Sequence, residues 1–235
     1  MLNTNKKQNQ SNLIGTPQTP ADAGAKRFSQ KGVGCLRMIY AIAHYLRDKM
    51  GWLWKMIESV NSQLFSIRYG KKLKDFSFVE KPNGYDVIPI KEVSTEKLVM
   101  FFCNQPKETF MYFNPHAFDT KSIKNLQQNR SFLAYVLLDK VNGQIAGYFF
   151  NRCFFHGQGF RGRMVDINYR GKGLGTAMNK MLNEVGFGIG LRLFETVSKN
   201  NIASYRSALS ASKVRVVKEM PDNVLYIEIL PHNWI

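Results

Sequence analysis

The chain has 235 residues, the size of one ordinary domain with an appended segment. Hydrophobic residues make up 44% of it and charged residues 21%, so the composition excludes a wholly disordered chain. The 33 Lys and Arg against 17 Asp and Glu give a formal charge of +16, which favours an acidic or phosphate-bearing partner such as nucleic acid, an anionic membrane or a phosphorylated cofactor.

The cysteines and the first apolar stretch indicate the cellular compartment in which the protein is expected. Cys35, Cys103 and Cys153 are widely spaced and form neither a disulfide framework nor a CxxC metal site, which predicts a reducing cytoplasm. The first apolar stretch is interrupted by Arg37 and Arg47 before it could span a bilayer. We therefore expect a cytoplasmic protein without an export signal, and peripheral contact with the inner face of the membrane stays open.

The N-terminal third divides into two predicted segments. Residues 1–33 are polar and rich in Asn, Gln, Ser, Gly and Pro, which predicts a disordered tail. Residues 34–74 predict one amphipathic helix, because apolar residues recur there at alternating spacings of three and four. This stripe consists of Leu36, Ile39, Ala43, Leu46, Met50, Leu53, Ile57, Val60, Leu64 and Ile67.

The basic charge is concentrated on these first segments. Residues 1–74 hold 13 basic and 3 acidic side chains, a charge of +10, whereas the other 161 residues hold 20 and 14, a charge of +6. A basic amphipathic helix that carries Trp52 and Trp54 suits an anionic membrane surface. The alternative is that the stripe of residues 36–67 packs on the domain or forms a homodimer with a second copy.

Residues 75–235 predict one mixed α/β domain. Strands are expected near 85–90, 131–139, 144–155, 161–168, 191–198, 214–219 and 224–230, and Asn142-Gly143 marks a hairpin between the second and third of them. Helices are expected near 94–104, 115–130, 173–185 and 202–210. The helix at 94–104 begins at a Ser that is followed by Glu96, a typical helix start.

The strongest chemical signal lies between the strand that ends near residue 168 and the next helix. It reads Arg170-Gly171-Lys172-Gly173-Leu174-Gly175-Thr176. Glycines let the backbone turn tightly and approach a ligand closely, and the amides of such a loop with the following helix N-terminus form an anion cradle. The spacing fits neither a P-loop, because Gly173 follows Lys172, nor a dinucleotide-binding fingerprint.

This segment resembles motif A of the GCN5-related N-acetyltransferases (GNAT), here Arg170-x-x-Gly173-x-Gly175. The preceding Val165-Asp166-x-x-Tyr169 and the later Asn201-x-x-Ser204 are also similar to that family. The resemblance covers residues 80–235 and follows the family's order of strands and helices. It implies an α/β (α+β) fold with a central mixed, mostly antiparallel twisted sheet flanked by helices, here with an N-terminal amphipathic helical extension.

The resemblance also implies acetyl-CoA as co-substrate and assigns residues to it. The backbone amides of 170–175 and the helix that follows would hold the pyrophosphate, while the strand edge at Val165 and Ile167 would pair with the pantetheine arm. Lys172, Arg163 or Lys199 could reach the ribose phosphate. The cofactor-binding set is Val165, Ile167, Arg170, Gly171, Lys172, Gly173, Leu174, Gly175, Thr176, Asn201 and Ser204.

The sequence departs from the family at the acid that protonates the leaving thiolate. The family's Tyr, seven residues after the Asn, is replaced by Ala208, and the nearby hydroxyl groups are those of Tyr205 and Ser207. The general base is not defined, although Glu195, within an apolar strand, is a candidate and Asp166 a weaker one. No group of His, Cys, Asp and Glu has metal-ligand spacing, so no metal is expected.

These observations predict an acetyl-CoA-dependent acyltransferase in which an amine or hydroxyl attacks the thioester directly, because no Cys or Ser nucleophile has a recognisable setting. The expected acceptor is a small molecule or sugar, with a membrane-proximal, lipid-linked precursor of a surface glycan as a narrower suggestion. A protein or peptide N-acetyltransferase is the first alternative. A non-catalytic CoA-binding module or a nucleic-acid-binding basic module is the second, with nucleic acid disfavoured because recognisable nucleic-acid-binding motifs are absent.

Overall fold

The computed structural model describes residues 51–231. The predicted polar tail of residues 1–33 and the part of the predicted helix before residue 51 lie outside the described residues. The helices are α1 (Gly51–Lys74), α2 (Thr95–Cys103), α3 (Thr120–Gln128), α4 (Leu174–Gly188) and α5 (Ile202–Ala211). The strands are β1 (Tyr85–Pro89), β2 (Phe132–Asp139), β3 (Ile145–Phe154), β4 (Gln158–Val165), β5 (Arg192–Ser198), β6 (Lys213–Met220) and β7 (Val224–Leu230).

The seven strands form one sheet in the order β1-β2-β3-β4-β5-β7-β6. Every neighbouring pair is antiparallel except β4 and β5, which are parallel and are connected through α4. A parallel pair requires such a crossover, because its second strand must start at the same end as its first. The predicted fold class, a mixed and mostly antiparallel sheet flanked by helices, is confirmed.

Side-chain caps define the start of two helices. Ser94 caps α2 at the expected position by accepting a hydrogen bond from the amide of Lys97. Asp119 caps α3 in the same way, so that α3 begins at Thr120 and not at the expected residue 115. The β2–β3 hairpin turns at Gly143, whose φ of +66° explains the glycine after Asn142.

The strand β4 also differs from its predicted range, because it ends at Val165 instead of continuing to residue 168. The Asp166 carboxylate accepts a hydrogen bond from the amide of Asn168, and the chain turns there into a short 3-10 helix, Ile167–Tyr169. Such a bond from a side chain to the backbone competes with strand pairing. Ile167 consequently lies outside the strand.

The core occupies both faces of the sheet. On one face α2 and α3 pack against β2, β3 and β4 through Leu98, Phe102 and Ile123, each nearly inaccessible to solvent. On the other face α4 packs through Met178, Met181 and Leu182. Each buried side chain of this size stabilises the fold by about 1.5–3 kcal/mol through removal of apolar surface from water. The two helical layers leave the edge between β4 and β5 accessible.

The part of α1 from Met56 onward belongs to the same compact unit as the sheet. Phe65 and Tyr69 are buried in a cluster with β5 and β7, and the Asn61 amide donates to the backbone oxygen of Cys153 at 3.0 Å. These side chains are therefore part of the core, although the sequence pattern predicts a domain that begins at residue 75. Among the helices between residues 51 and 231, none has the length and apolarity needed to cross a bilayer.

Candidate active site

A cleft opens where β4 and β5 separate. Parallel pairing joins Gln158–Phe160 to Arg192–Phe194 only, after which β5 continues alongside β7. The cleft has a volume of about 830 Å³ and is lined by β4, β5, the loop before α4, the start of α5 and residues 108–115. This volume is typical of sites for cofactors and sizeable small molecules.

The glycine loop enters this cleft from the end of β4. Gly171 and Gly173 have φ of +78° and +76°, a left-handed conformation that side-chain-bearing residues rarely adopt. Gly173 is the N-cap of α4, and its carbonyl accepts hydrogen bonds from the amides of Thr176 and Ala177. The amides of Leu174 and Gly175, at the very start of the helix, have no acceptor within the helix and carry the positive end of its dipole. The predicted anion cradle therefore has a suitable geometry.

The two basic side chains of the loop differ in their contacts. Arg170 donates from Nη2 to Thr109 Oγ1 at 2.9 Å, which ties the loop to the opposite wall of the cleft. Lys172 is exposed, and its Nζ lies 4.8 Å from the ring centroid of Tyr169. Its ammonium group thus lies over that ring, and Lys172 is not among the residues that line the cleft.

Three charged side chains meet at the point where β4 and β5 separate, which we call the fork. Arg161 Nε donates to Glu195 Oε2 at 2.5 Å, and Arg163 Nη1 donates to the same oxygen at 3.3 Å. The side chains of all three residues are less than a tenth exposed. Within residues 51–231, Arg161 Nη2 and Glu195 Oε1 have no hydrogen-bond partner. The cluster thus carries an excess of one positive charge and offers one unmatched donor and one unmatched acceptor.

The ion pairs bear on the predicted role of Glu195 as general base. Burial lowers the pKa of Arg163 to about 10, partly offset by the attraction of Glu195, so its guanidinium remains charged near neutral pH. Oε2 of Glu195 already accepts from both guanidinium groups, which leaves only Oε1 of this nearly inaccessible side chain without a partner among the described residues. The geometry therefore favours a positioning function for Glu195, and its role as a base stays a prediction.

The predicted contacts to the ribose phosphate separate in the structure. Arg163 donates from Nη2 to the backbone oxygen of Ser204 at 2.8 Å and to its Oγ at 3.1 Å, so its guanidinium lies inside the fork. Lys199 forms an ion pair with Glu219 at the β6–β7 end of the sheet. Lys172 is the one of the three whose side chain remains at the loop.

The start of α5 forms one wall of the cleft. Asn201 caps this helix by accepting a hydrogen bond from the amide of Ser204 at 3.1 Å, and both residues line the cleft. Ser207 also lines it, and its Oγ accepts a hydrogen bond from Asn179 Nδ2 at 3.0 Å. Ala208 is fully buried in the core.

Tyr205 faces away from the cleft. Its ring packs against the apolar cluster under α5, and it is not among the residues that line the cavity. Val165 lines the cleft at the end of β4, whereas Ile167, in the 3-10 turn, is outside both the strand and the cleft lining. The expectation that Ile167 offers a strand edge to a ligand was wrong, because the bond from Asn168 to Asp166 ends the strand first.

The wall opposite the glycine loop was missed by sequence reasoning. It is formed by a 3-10 helix, Lys107–Met111, and the residues that follow, and it contributes Glu108, Tyr112, Phe113 and Asn114 to the cleft. This segment has no helical or strand period. Its one signal is the density of aromatic residues between two helices, combined with the adjacent Glu108.

A glycine on β4 shapes the floor next to this wall. A methyl group on Gly162 would lie 2.6 Å from Phe150 Cζ and 3.4 Å from Phe113 Cε2, closer than packed atoms tolerate. The missing side chain lets the Phe150 ring pack against the backbone of β4. The floor and the neighbouring wall of residues 108–114 therefore both present aromatic rings to the cleft.

Comparison with known proteins identifies the fold. The sequence matches no protein-family model, and no curated protein matches it significantly. Among solved structures, the GNAT domain of S. lividans PAT is similar with a TM-score of 0.54 and 16% identity, covering 62% of this chain and 89% of that domain. The ribosomal-protein-S5-alanine acetyltransferase from Vibrio fischeri has a TM-score of 0.52 and 14% identity, covering 68% of this chain and 100% of that one. The chain has the fold of the GCN5-related N-acetyltransferases, so the resemblance is confirmed at the level of the fold.

Proposed function

We propose that the protein transfers an acetyl group from acetyl-CoA to an amine or hydroxyl of a small molecule or sugar. The observation that carries this proposal is the left-handed pair Gly171 and Gly173, which leads into the N-terminus of α4 beside the cleft between β4 and β5. A helix N-terminus preceded by a glycine loop binds phosphate groups through backbone amides. The pyrophosphate of CoA has that chemistry.

The fork between β4 and β5 is a suitable binding site for the pantetheine arm of CoA. A pantetheine arm carries amide groups, each of which presents one acceptor and one donor. Beyond Phe160 and Phe194 the backbone of β4 is no longer paired with β5, so the edge of β4 that leads to Val165 is available to such amide groups. Val165, Asn201 and Ser204 line the same stretch.

The acceptor is expected to enter from the side of residues 108–114. Glu108 brings a carboxylate to that wall, and Tyr112, Phe113 and Phe150 bring aromatic surface. A carboxylate attracts a protonated amine, and aromatic faces pack against the C–H surface of a sugar or another small molecule. Glu108 is therefore the better-placed candidate to accept a proton from the acceptor, because Glu195 is held by two arginines.

The bound thioester supplies the activated acyl group, and the chain positions it. The positive charge of the Arg161–Glu195–Arg163 cluster, together with backbone amides of β4, favours the negative charge that develops on the thioester oxygen during attack. Ser207 lies where α4 meets α5, and its oxygen accepts from Asn179. Its own hydroxyl proton remains available to the departing sulfur, a role that Ala208 cannot fill.

Binding and turnover test the proposal separately. Titration calorimetry with acetyl-CoA and with CoA should show one site per chain, and release of free thiol should rise with one member of a panel of amines and amino sugars. Peptides with free N-termini and lysines form the comparison panel and represent the protein acetyltransferase alternative. Absence of binding at millimolar acetyl-CoA contradicts the assignment; binding without turnover on either panel supports the non-catalytic CoA-binding alternative.

A lipid-linked sugar as acceptor depends on membrane contact by the basic helix. That contact competes with homodimer formation for the same apolar stripe, so the narrower substrate follows only if the bilayer is the partner. Sedimentation equilibrium of the full-length protein reports a homodimer, whereas salt-reversible co-sedimentation with phosphatidylglycerol vesicles reports contact with the bilayer.

A further inference from the structure

The cleft is continuous with one face of the strands β5, β6 and β7. Helices α1, α4 and α5 pack on these strands through Leu193, Val197 and Ile227, which point to one face of the sheet. Side chains alternate along a strand, so Phe194 and Thr196 point to the other face, which we call the Phe194 face. Thr196 is exposed and lines the cleft. The Phe194 face is therefore accessible from the cleft.

This face lies on the side from which the acceptor is expected to enter. On β4, Gly162 lies against Phe150 and near Phe113 of the wall, and Phe160 comes two residues earlier on the same face. Phe160 pairs with Phe194 across the parallel strands. An acceptor that reaches the fork past Phe113 therefore has the Phe194 face beside it.

Three aromatic rings form a stacked row across this face. The ring centroids of Phe160 and Phe194 are 5.8 Å apart, with planes inclined by 30°. Those of Phe194 and Tyr226 are 5.5 Å apart, with planes inclined by 15°. Phe160 and Tyr226 are partly exposed, so the row can pack against the C–H surface of a small molecule. The aromatic row thus extends the aromatic surface of the cleft away from the fork.

Two arginines lie next to this aromatic row. Glu228 on β7 is opposite Phe194 on β5 and Arg215 on β6, and its side chain is only 5% exposed. Its Oε1 accepts a hydrogen bond from Arg192 Nε at 2.9 Å, and its Oε2 accepts one from Arg215 Nη2. The Arg192 guanidinium carbon lies 5.2 Å from the Phe194 ring centroid. A nearly buried carboxylate thus fixes two guanidinium groups beside the aromatic row.

Both guanidinium groups can bind a further anion. The side chains of Arg192 and Arg215 are 60% and 61% exposed, and each donates one N–H group to Glu228. A guanidinium has five N–H donors, so most of them remain for phosphate oxygens. Lys213 and Lys218 occupy positions of the same face, and Glu228 is the one acidic residue at such a position within β5, β6 and β7. Four basic groups against one acidic group favour an anionic ligand.

We propose that Arg192 and Arg215 bind a phosphate group of the acceptor, which is accordingly a soluble phosphate ester such as a phosphorylated amino sugar. Glu228 lies two positions along the strand and one strand across from Thr196, a separation of about 8 Å. An amine on one side of a pyranose ring and a phosphate ester on the opposite side have a similar span. Phe194 is only 4% exposed, which leaves little apolar surface for a lipid chain. The proposal rests on the proposed function for the reacting end of the acceptor.

Binding of phosphate tests the site without acetyl transfer. Inorganic phosphate is titrated into the full-length protein with the glycine loop saturated by CoA, and is followed by phosphorus NMR. Arg192→Gln and Arg215→Gln, each of which leaves Glu228 one partner, should weaken phosphate binding at least about tenfold. Lys140→Gln is the matched control, because it removes an exposed charge paired with Asp86 on the strand at the opposite edge of the sheet, and should bind phosphate normally.

This titration separates the site from the proposed function. If CoA does not bind, the proposed function fails, and the same comparison of variants is made without CoA. Phosphate binding that both arginine variants retain at wild-type strength overturns the proposal. A short single-stranded RNA that binds more tightly than phosphate, and is lost in both variants, makes the Phe194 face a nucleic-acid surface and also overturns it.

Turnover tests whether the phosphate belongs to the acceptor. Each amino sugar of the panel is supplied free and as its phosphate ester. The wild-type protein should prefer the ester in kcat/KM by at least about tenfold, and Arg215→Gln should lose this preference through KM while its kcat and its Kd for acetyl-CoA stay the same. Turnover of amino sugars without a preference for the ester overturns the proposal.

Discussion

Arg161 on β4 and Glu195 on β5 are joined by a hydrogen bond of 2.5 Å between Nε and Oε2 at the point where the two strands separate. Their backbones lie one residue beyond the last paired positions, Phe160 and Phe194. The ion pair thus replaces backbone pairing at the fork. It holds the two strands at a defined separation while leaving the backbone edge of β4 accessible to a ligand.

We therefore expect Glu195→Gln mainly to lower the free energy of unfolding. The substitution keeps the volume but leaves two buried guanidinium groups without their counter-charge, and breaking a buried pair in this way costs about 3–5 kcal/mol. Chemical denaturation should show this loss. Glu228→Gln is the matched control, because Glu228 pairs with the exposed Arg192 and Arg215, and it should cost much less.

The alternative role of Glu195 predicts an additional effect on turnover. If Glu195 is the general base, Glu195→Gln also loses about a thousandfold in turnover in the protein that remains folded. Glu108→Gln should reduce turnover in the interpretation favoured here, with little change in stability, because Glu108 is exposed at the rim of the cleft.

Gly173→Ala should weaken acetyl-CoA binding with only a modest loss of stability. A methyl group there meets no atom within 4 Å, so its cost comes from the φ of +76° and is about 1–2 kcal/mol if the backbone stays in place. Relaxation of the loop would misdirect the amides at the start of α4, and we expect at least a tenfold rise in Kd by calorimetry.

Gly143→Ala is the matched control for this experiment. Gly143 also has a positive φ and open space around it, but it lies in the β2–β3 turn and not in the cleft lining. It should lose similar stability and bind acetyl-CoA normally. Equal binding by both variants contradicts the assignment of the glycine loop as the phosphate site.

Ser207→Ala should lower kcat by about tenfold to a hundredfold while the Kd for acetyl-CoA changes little, as expected for loss of one hydrogen bond made during the reaction. Ser207→Thr keeps the hydroxyl and should restore part of the rate.

Tyr205→Phe should change turnover by less than about tenfold, since Tyr205 faces the core. A thousandfold loss in Tyr205→Phe would instead make Tyr205 the acid.

The environment of His116 predicts that the free energy of unfolding falls in mild acid. The pKa of His116 is lowered from 6.5 to about 4, mainly by burial and to a smaller extent by nearby Arg152, against the opposing hydrogen bond to Ala117. Its Nδ1 faces the oxygen of Ala117 and its Nε2 lies 3.0 Å from Tyr148 Oη, an arrangement that suits the neutral ring. Between pH 6.5 and 4 the unfolded chain binds a proton here and the folded chain does not.

The contribution of His116 is thus fully present above about pH 6.5 and is lost as the pH falls toward 4, by up to roughly 3 kcal/mol. Urea unfolding at several pH values should show this slope. His116→Gln should be less stable at neutral pH but have a shallower slope in this window. His156→Gln, at an exposed position, should keep the original slope.

The sequence predicts the scaffold better than the chemistry within the cleft. The alternating pattern around Asn142-Gly143 predicts β2 and β3, and the glycine loop predicts the start of α4, because both depend on neighbouring residues. The pairing of Arg161 with Glu195 joins residues 34 positions apart and becomes visible only once the crossover is folded.

Neither the orientation of Tyr205 nor the wall at residues 108–114 could be predicted from the sequence, and the reasons are related. Helical periodicity does not specify which side of α5 faces the cleft, and the core under that helix takes Tyr205 and Ala208. The segment from Lys107 to Met111 is held by packing of its aromatic residues, including Phe110, against Phe118, and not by any local repeat.

The three residue pairs between β4 and β5 also divide the sheet into two antiparallel blocks, β1–β4 and β5–β7. Each block is held by long ladders, whereas the seam between them rests on this short pairing, the Arg161–Glu195 bond and the crossover helix. Cooperative units of a protein often open separately at such seams, and exchange of backbone amides with deuterated water reports each opening. A molecule seated in the cleft touches both blocks, so its binding should slow exchange on either side of the seam together, in strands that share no ladder.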